Sequence, residues 1–310
     1  GNLVVEVASN DGSLLKCFKP YGIRTLGVEP AENISELARS QGIETVTRFF
    51  NSTTGREVQE VYGAAEVVIA NNVLAHVDDT PDFLEGCKHV LKPDGLIVIE
   101  VPYLRDLLDR LEYDTIYHEH LCYFSVTTLM RLCDRVGLFI KRLEHVALHG
   151  GSLRVYLGRR EVQGSHADTV VDYSAAETEA GFENMDRYER FAADVAVNRQ
   201  AVRSLLEKLK FDGKVVAGYG APAKGNTLLN YCGIDTQLVS FTVDQNPMKI
   251  GRYTPGTHLP VLPVAALRER QTDFAFVLAW NFEEEIRRQQ RDYAESGGRF
   301  IIPIPEPRVV

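Results

Sequence analysis

The 310-residue chain is predicted to be an α/β protein built from two strand–helix series. Three observations lead there. Short apolar, β-branched runs alternate with amphipathic helical stretches over residues 3–158, which is the pattern of a mostly parallel sheet with helices on both faces. A polar helical stretch then breaks the alternation over residues 169–210. A second, shorter strand–helix series begins at residue 214.

Within the first series, strands are expected at residues 3–7, 25–28, 66–70, 96–101, 139–145 and 152–157. Helices are expected at 13–18, 34–41, 80–91, 103–111 and 127–136. Lys92-Pro93-Asp94-Gly95 reads as a turn between a helix and a buried strand. The last two strands, joined through His149-Gly150-Gly151-Ser152, read as an antiparallel hairpin closing the sheet edge. In the polar stretch, Phe191, Val195, Val202, Leu205, Leu206 and Leu209 form an apolar stripe at helical spacing. Further strands are expected at 214–218, 238–243 and 274–278, with 299–302 a fourth. The expected boundaries are therefore a first domain over 1–158, a helical bridge over 159–210 and a smaller α/β domain over 211–310.

Composition narrows the function classes. The net charge of −9 argues against a general nucleic-acid surface, which is normally basic. No run of eighteen apolar residues occurs, so no membrane span is expected. The cysteines at 17, 87, 122, 133 and 232 are odd in number and lack CxxC spacing. They suit reduced thiols in a cytoplasmic protein better than a disulfide frame or a zinc site. Cys17, Cys87 and Cys133 lie in apolar helical patterns and read as core residues. The chain opens at Gly1-Asn2 and enters a strand at once, so a preceding segment of the natural protein is expected.

Three segments carry chemistry. The first strand ends in Glu6-Val7-Ala8-Ser9-Asn10-Asp11-Gly12 before a helix begins, the place where open α/β sheets bind ligands. Glu29 ends the second strand and is placed to accept hydrogen bonds from ribose hydroxyls, and Asn71-Asn72 end a later strand. The G-x-G-x-x-G spacing of a dinucleotide site is missing, which disfavours NAD. The acidic, small-residue loop resembles that of methyltransferases dependent on S-adenosylmethionine (SAM), with Glu6, Ala8, Asn10 and Gly12 facing the cofactor.

The second segment, Tyr117-His118-Glu119-His120, concentrates proton-transfer groups that suit a site working near neutral pH. His118 is expected to point away from its neighbours. In the third, a strand runs into Tyr219-Gly220-Ala221-Pro222-Ala223-Lys224-Gly225-Asn226 and a helix. Small residues there let backbone approach a phosphate, and Lys224 adds charge. The order is not that of a P-loop, so ATP hydrolysis is not expected. Asp244 ends the next strand and reads as part of the same crevice. Residues 248–259 read as a flap over it, and Trp280 as a contact for a base or sugar.

Taken together, residues 6–15 (EVASNDGSLL), 72–77 (NVLAHV), 117–125 (YHEHLCYFS), 149–155 (HGGSLRV) and 218–229 (GYGAPAKGNTLL) resemble the sugar C-methyltransferases of deoxysugar biosynthesis. The resemblance spans nearly the whole chain. It implies a Rossmann-like SAM domain plus a second Rossmann-like domain that holds the nucleotide of a TDP-linked 4-keto-6-deoxy sugar. It also implies that zinc belongs only to an N-terminal four-cysteine module absent from this chain. No metal, nucleic acid or membrane partner is expected, and the chain is expected to be a monomer or weak dimer.

C-methylation needs an enolate, and hence a base and a donor for the enolate oxygen. By resemblance His120 is the first candidate base and Glu119 the second, or the residue that orients the imidazole. Tyr117 would donate to sugar oxygens and His76 would stabilise the enolate. An O- or N-methyltransferase, or a sugar-nucleotide-binding protein without turnover, stays open at this level.

Overall fold

The computed structural model describes residues 2–147 and 150–310, without the side chains of Val162 and Gln163. His149, singled out above as part of the hairpin turn, lies outside the described residues. The chain divides into two compact units, residues 1–105 with 119–183, and residues 106–118 with 184–310.

In the first unit, β1 (Leu3–Val7), β2 (Arg24–Val28), β3 (Thr45–Val46), β4 (Ala65–Asn71), β5 (Leu91–Pro102), β6 (Leu138–Val146) and β7 (Ser152–Arg159) form one sheet. Its order is β3-β2-β1-β4-β5-β7-β6. The first five strands are parallel, and β7 runs antiparallel between β5 and β6. The chain winds outward from β1 to β3 and then crosses back to β4. The ends of β1 and β4 therefore flank a switch point, where a crevice opens between diverging loops.

Alternation sets the two faces of this sheet. Val5, Val7, Leu26, Val28, Val68, Ile97 and Ile99 join Val58, Phe83, Cys87 and Leu129 of the covering helices in the main core. On the opposite face Val4 and Ile69 meet Leu15, Ala38 and Ile43. Each fully buried side chain of this size contributes about 1.5–3 kcal/mol.

Three local expectations change. Lys92-Pro93-Asp94-Gly95 lies within β5, where the register jumps from Ala65↔Leu91 to Val67↔Leu96. The turn is thus an extrusion from a strand that pairs on both sides of it. Cys17 is exposed, because its helix, Ser13–Lys16, is a single turn. The third is a helix at Ser52–Tyr62 that apolar periodicity did not announce. Its contact with the helix Thr80–Val90 is made by glycines: a Cβ on Gly55 would lie 2.4 Å from the Gly86 carbonyl oxygen.

The second unit holds β8 (Val216–Tyr219), β9 (Thr242–Asp244), β10 (Val261–Pro263), β11 (Phe274–Val277), β12 (Arg299–Ile302) and β13 (Arg308–Val309). Its order is β10-β9-β8-β11-β12-β13, parallel except for β13. The first five positions repeat the winding of the first sheet, with β8 in the place of β1.

The contacts divide the stretch expected as a bridge. The helix Asp168–Glu179 belongs to the first unit, where fully buried Glu177 accepts hydrogen bonds from Val126 N–H (2.7 Å), Thr127 N–H (2.9 Å) and Tyr103 Oη (2.9 Å). A carboxylate at the start of the helix Val126–Arg135 satisfies its orphan donors and complements its dipole. The helix Met185–Phe211 belongs to the second unit, and Val195, Val202, Leu206 and Leu209 enter its core beside Leu228 and Leu229. Among the described residues no helix is long and apolar enough to cross a membrane.

Candidate active site

The loop after β1 is bent by a run of left-handed residues, with φ of 55° at Ala8, 48° at Asn10 and 74° at Gly12. Such φ values suit glycine and are tolerated by asparagine. At Gly12 a side chain is excluded twice over, since a Cβ would come within 2.8 Å of Ile43. Glu29, just past β2, locks the loop. Its Oε2 accepts the Asn10 N–H at 3.1 Å and its Oε1 accepts the Ala31 N–H at 2.9 Å. Each oxygen keeps a second lone pair for a ligand hydroxyl.

Other acceptors at this crevice lack protein partners. Glu6 Oε2 and Asn71 Oδ1 are buried with no hydrogen-bond donor among the described residues. Burial, together with the nearby charge of Asp11, pushes the Glu6 carboxyl up to about 7. Asp11 itself is exposed and held below the usual range by hydrogen bonds from Ser13. Asn72, at φ 54°, donates its N–H to the Glu100 carbonyl at 2.8 Å, which fixes the exit from β4. Orphaned acceptors beside a glycine cradle suit a ligand rich in hydroxyl and ammonium donors.

The chain leaving β4 makes a 3-10 turn, Leu74–His76, and the second chemical segment docks along it. Leu121 and Cys122 both donate their N–H groups to the Ala75 carbonyl, at 2.8 and 3.2 Å. His76 Nδ1 lies 2.7 Å from the Glu119 carbonyl oxygen. A carbonyl only accepts, so Nδ1 carries a proton and Nε2 is left for a ligand. The rings of His76 and His120 lie 5.0 Å apart, and His120 meets Tyr123 edge-on at 6.1 Å. Thus His76 and His120 come together in the first unit, and Glu119 joins them through its backbone carbonyl. Tyr117 and His118 fall in the second, with rings 6.3 Å apart, and the chain passes between units at the His118–Glu119 bond.

In the second unit, Gly220 (φ 88°) opens the loop after β8. Asp244 ties that loop down much as Glu29 does in the first unit. Its Oδ2 accepts the Ala221 N–H at 2.7 Å and its Oδ1 accepts the Asn246 N–H at 2.8 Å. Burial alone would raise its pKa, but these amides and the Lys249 ammonium, 3.4 Å from Oδ2, outweigh it and lower the value. A cavity of about 270 Å³ lies here, lined by Tyr219, Gly220, Asp244, Gln245, Lys249 and Phe282 among others.

Lys224 does not present its charge to this crevice. Its ammonium sits 4.2 Å from the centre of the Trp280 ring, and Trp280 Nε1 donates to Asp114 Oδ2 at 2.7 Å. Burial lowers the Lys224 pKa, and the charges of Asp114 and Glu112 offset part of that shift. Asn226 is likewise internal, with Nδ2 donating to the Pro222 carbonyl at 3.3 Å. Residues 248–259 turn back on β10, where Gly251 N–H meets the Val261 carbonyl at 2.9 Å. Sequence reasoning missed Glu112 and Asp114, whose signal is two carboxylates flanking a tyrosine just ahead of Tyr117.

Comparison with known proteins identifies the family. Residues 1–141 match the methyltransferase domain family, and residues 147–305 match the C-methyltransferase C-terminal domain family. The C-methyltransferase NovU of Streptomyces niveus is 37% identical over 310 residues, all of this chain and 74% of that protein. A ubiquinone biosynthesis O-methyltransferase of Haemophilus ducreyi is 25% identical over 165 residues, 46% of this chain and 68% of that protein. Among solved structures, magnesium protoporphyrin IX methyltransferase from Synechocystis PCC 6803 with bound SAH aligns with a TM-score of 0.41. It is 14% identical and covers 51% of this chain and 74% of its own. With a two-family match in this order and a relative 37% identical over the whole of this chain, the chain belongs to the SAM-dependent C-methyltransferases.

Proposed function

We propose that the chain methylates a ring carbon next to the ketone of a TDP-linked 4-keto-6-deoxy sugar, through an enolate made by a base in the Glu119-His120 pair. The observation that carries the reading is the meeting of the His76 and His120 rings, with the Glu119 backbone carbonyl on His76, on the turn that leaves β4 next to the crevice at the ends of β1 and β4. Glu29 holds the ribose of SAM, and Glu6 and Asn71 accept from its amino-acid end, with Ala8, Asn10, Gly12 and Asn72 shaping the cradle. The bound cofactor supplies the electrophilic methyl group that the carbanion takes up.

His120 takes the proton from the carbon. His76 donates to the enolate oxygen through Nε2, which requires its imidazolium form because Nδ1 already donates to the Glu119 carbonyl. Tyr117 donates to a sugar oxygen. The nucleotide end lies at the loop of Tyr219, Gly220 and Ala221, with Asp244 bracing that loop and Lys249 as its nearest cation. Lys224 and Asn226 act from behind the loop.

The test is transfer of a labelled methyl group from ¹³CH₃-SAM to a TDP-4-keto-6-deoxy sugar. A product methyl bonded to carbon, in the high-field region of the NMR spectrum, is expected. An O-methyl signal near the methoxy region would replace this reading with O-methylation.

A further inference from the structure

Residues 112–114 interrupt the first unit's chain but are buried in the second unit. Glu112 and Tyr113 are 4% and 5% exposed, and Asp114 is fully buried. Tyr113 enters the second core and donates to Asn198 Oδ1 at 2.8 Å, while Asn198 Nδ2 donates to the Pro303 and Pro305 carbonyls at 2.9 and 2.7 Å. Asp114 Oδ2 accepts from Trp280 Nε1, and the Trp280 ring carries the Lys224 ammonium. Glu112 Oε1 and Asp114 Oδ1 are buried with no hydrogen-bond partner among the described residues.

Such a cluster is costly as mere packing. Burial pushes Glu112 up to about 8 and Asp114 up to about 6, against the pull of Lys224, and burial lowers Lys224 in turn. Replacing buried ionic clusters with apolar residues is often neutral or stabilising, so stability alone does not account for one. Its place in the chain does. Asp114 is three residues before Tyr117, and Lys224 lies in the loop that follows β8.

We propose that Asp114, held by Trp280, whose ring also carries the Lys224 ammonium, is a positioning residue that fixes the course of the chain into Tyr117-His118-Glu119-His120. This rests on the reading of that run as the catalytic segment. Asp114 touches no reacting atom. It anchors the point from which the run departs, and a misplacement of about 1 Å in such a segment costs about 10²-fold in rate.

The experiment compares the protein with its Asp114→Asn and Trp280→Phe variants. Asp114→Asn removes the charge that faces Lys224. Trp280→Phe keeps the ring beneath Lys224 and removes the indole donor, so it serves if the first variant folds poorly. Expected are faster amide exchange confined to residues 115–120, kcat lowered about tenfold or more, and KM and the SAH dissociation constant within about twofold. Unchanged exchange in both variants would overturn the proposal, as would a loss of protection spread over both units. Local exchange with no methyl transfer even by the unsubstituted protein would uphold the anchor and reject the sugar reading instead.

Discussion

The loops after β1 and β8 hold equivalent places in sheets of the same winding, and the acid ending the next strand braces each of them. Glu29 accepts the Asn10 N–H, and Asp244 accepts the Ala221 N–H. The difference lies in charge. Around the first loop, Glu6 and Asn71 present oxygens without donors, and Glu29 is met by backbone amides. Around the second, Lys249 stands beside Asp244, and Lys224 lies over the Trp280 ring. On the function proposed above, one backbone plan serves a ligand that donates hydrogen bonds in the first unit and one that accepts them in the second. The winding fixes where a ligand goes, and the local charge fixes which kind.

The sharpest way to separate chemistry from binding is His120→Ala. Turnover should fall about 10²-fold or more while the SAH dissociation constant stays nearly constant. Wild-type-like turnover would remove His120 as the base. Next in size is Gly12→Val, which meets both a positive φ and Ile43. SAH affinity should drop about tenfold or more by calorimetry, and an unaffected affinity would place the cofactor elsewhere.

A paired test breaks the comparison directly. Glu29→Ala should weaken SAH binding several-fold, and Asp244→Ala should leave it alone while weakening binding of TDP. If both variants lose the same ligand, the two loops are not divided in this way.

The smallest effect is a pH dependence. The Glu6 carboxyl is raised from 4.5 to about 7 in the folded protein. The folded state therefore binds the proton more tightly than the unfolded chain, and stability declines as pH rises from about 4.5 to about 7. Glu6→Gln removes that penalty. The variant should gain roughly 1–3 kcal/mol over the wild type at pH 8 relative to pH 4.5, measured by denaturant unfolding. A difference independent of pH would contradict the burial argument.

The longer central strands were legible because runs such as Leu3–Val7 and Phe274–Val277 are buried along their whole length. Period and burial then coincide. The two- and three-residue strands Thr45–Val46, Val261–Pro263 and Arg308–Val309 are too short to show a period, and the strand expected at 238–243 is confined to Thr242–Asp244. The helix Ser52–Tyr62 was not legible, since it packs through Gly55, which carries no hydrophobic signal. The acids at strand ends and the run at Tyr117 stood out because polar side chains cluster there against an apolar background. Lys224 was read as a phosphate cation, but its ammonium lies over the Trp280 ring, more than fifty residues along the chain and beyond local pattern. Distance along the chain also hid the membership of residues 106–118 in the second unit.

The central claim is that a base in Glu119-His120 removes a proton from carbon before any methyl is transferred. It is tested most directly by incubating the protein with SAH and a TDP-4-keto-6-deoxy sugar in heavy water and following the ring protons by NMR. Loss of one proton next to the ketone, at a rate set by the protein and abolished in His120→Ala, is the expected result. No exchange, with both ligands bound, would contradict enolate chemistry at this site.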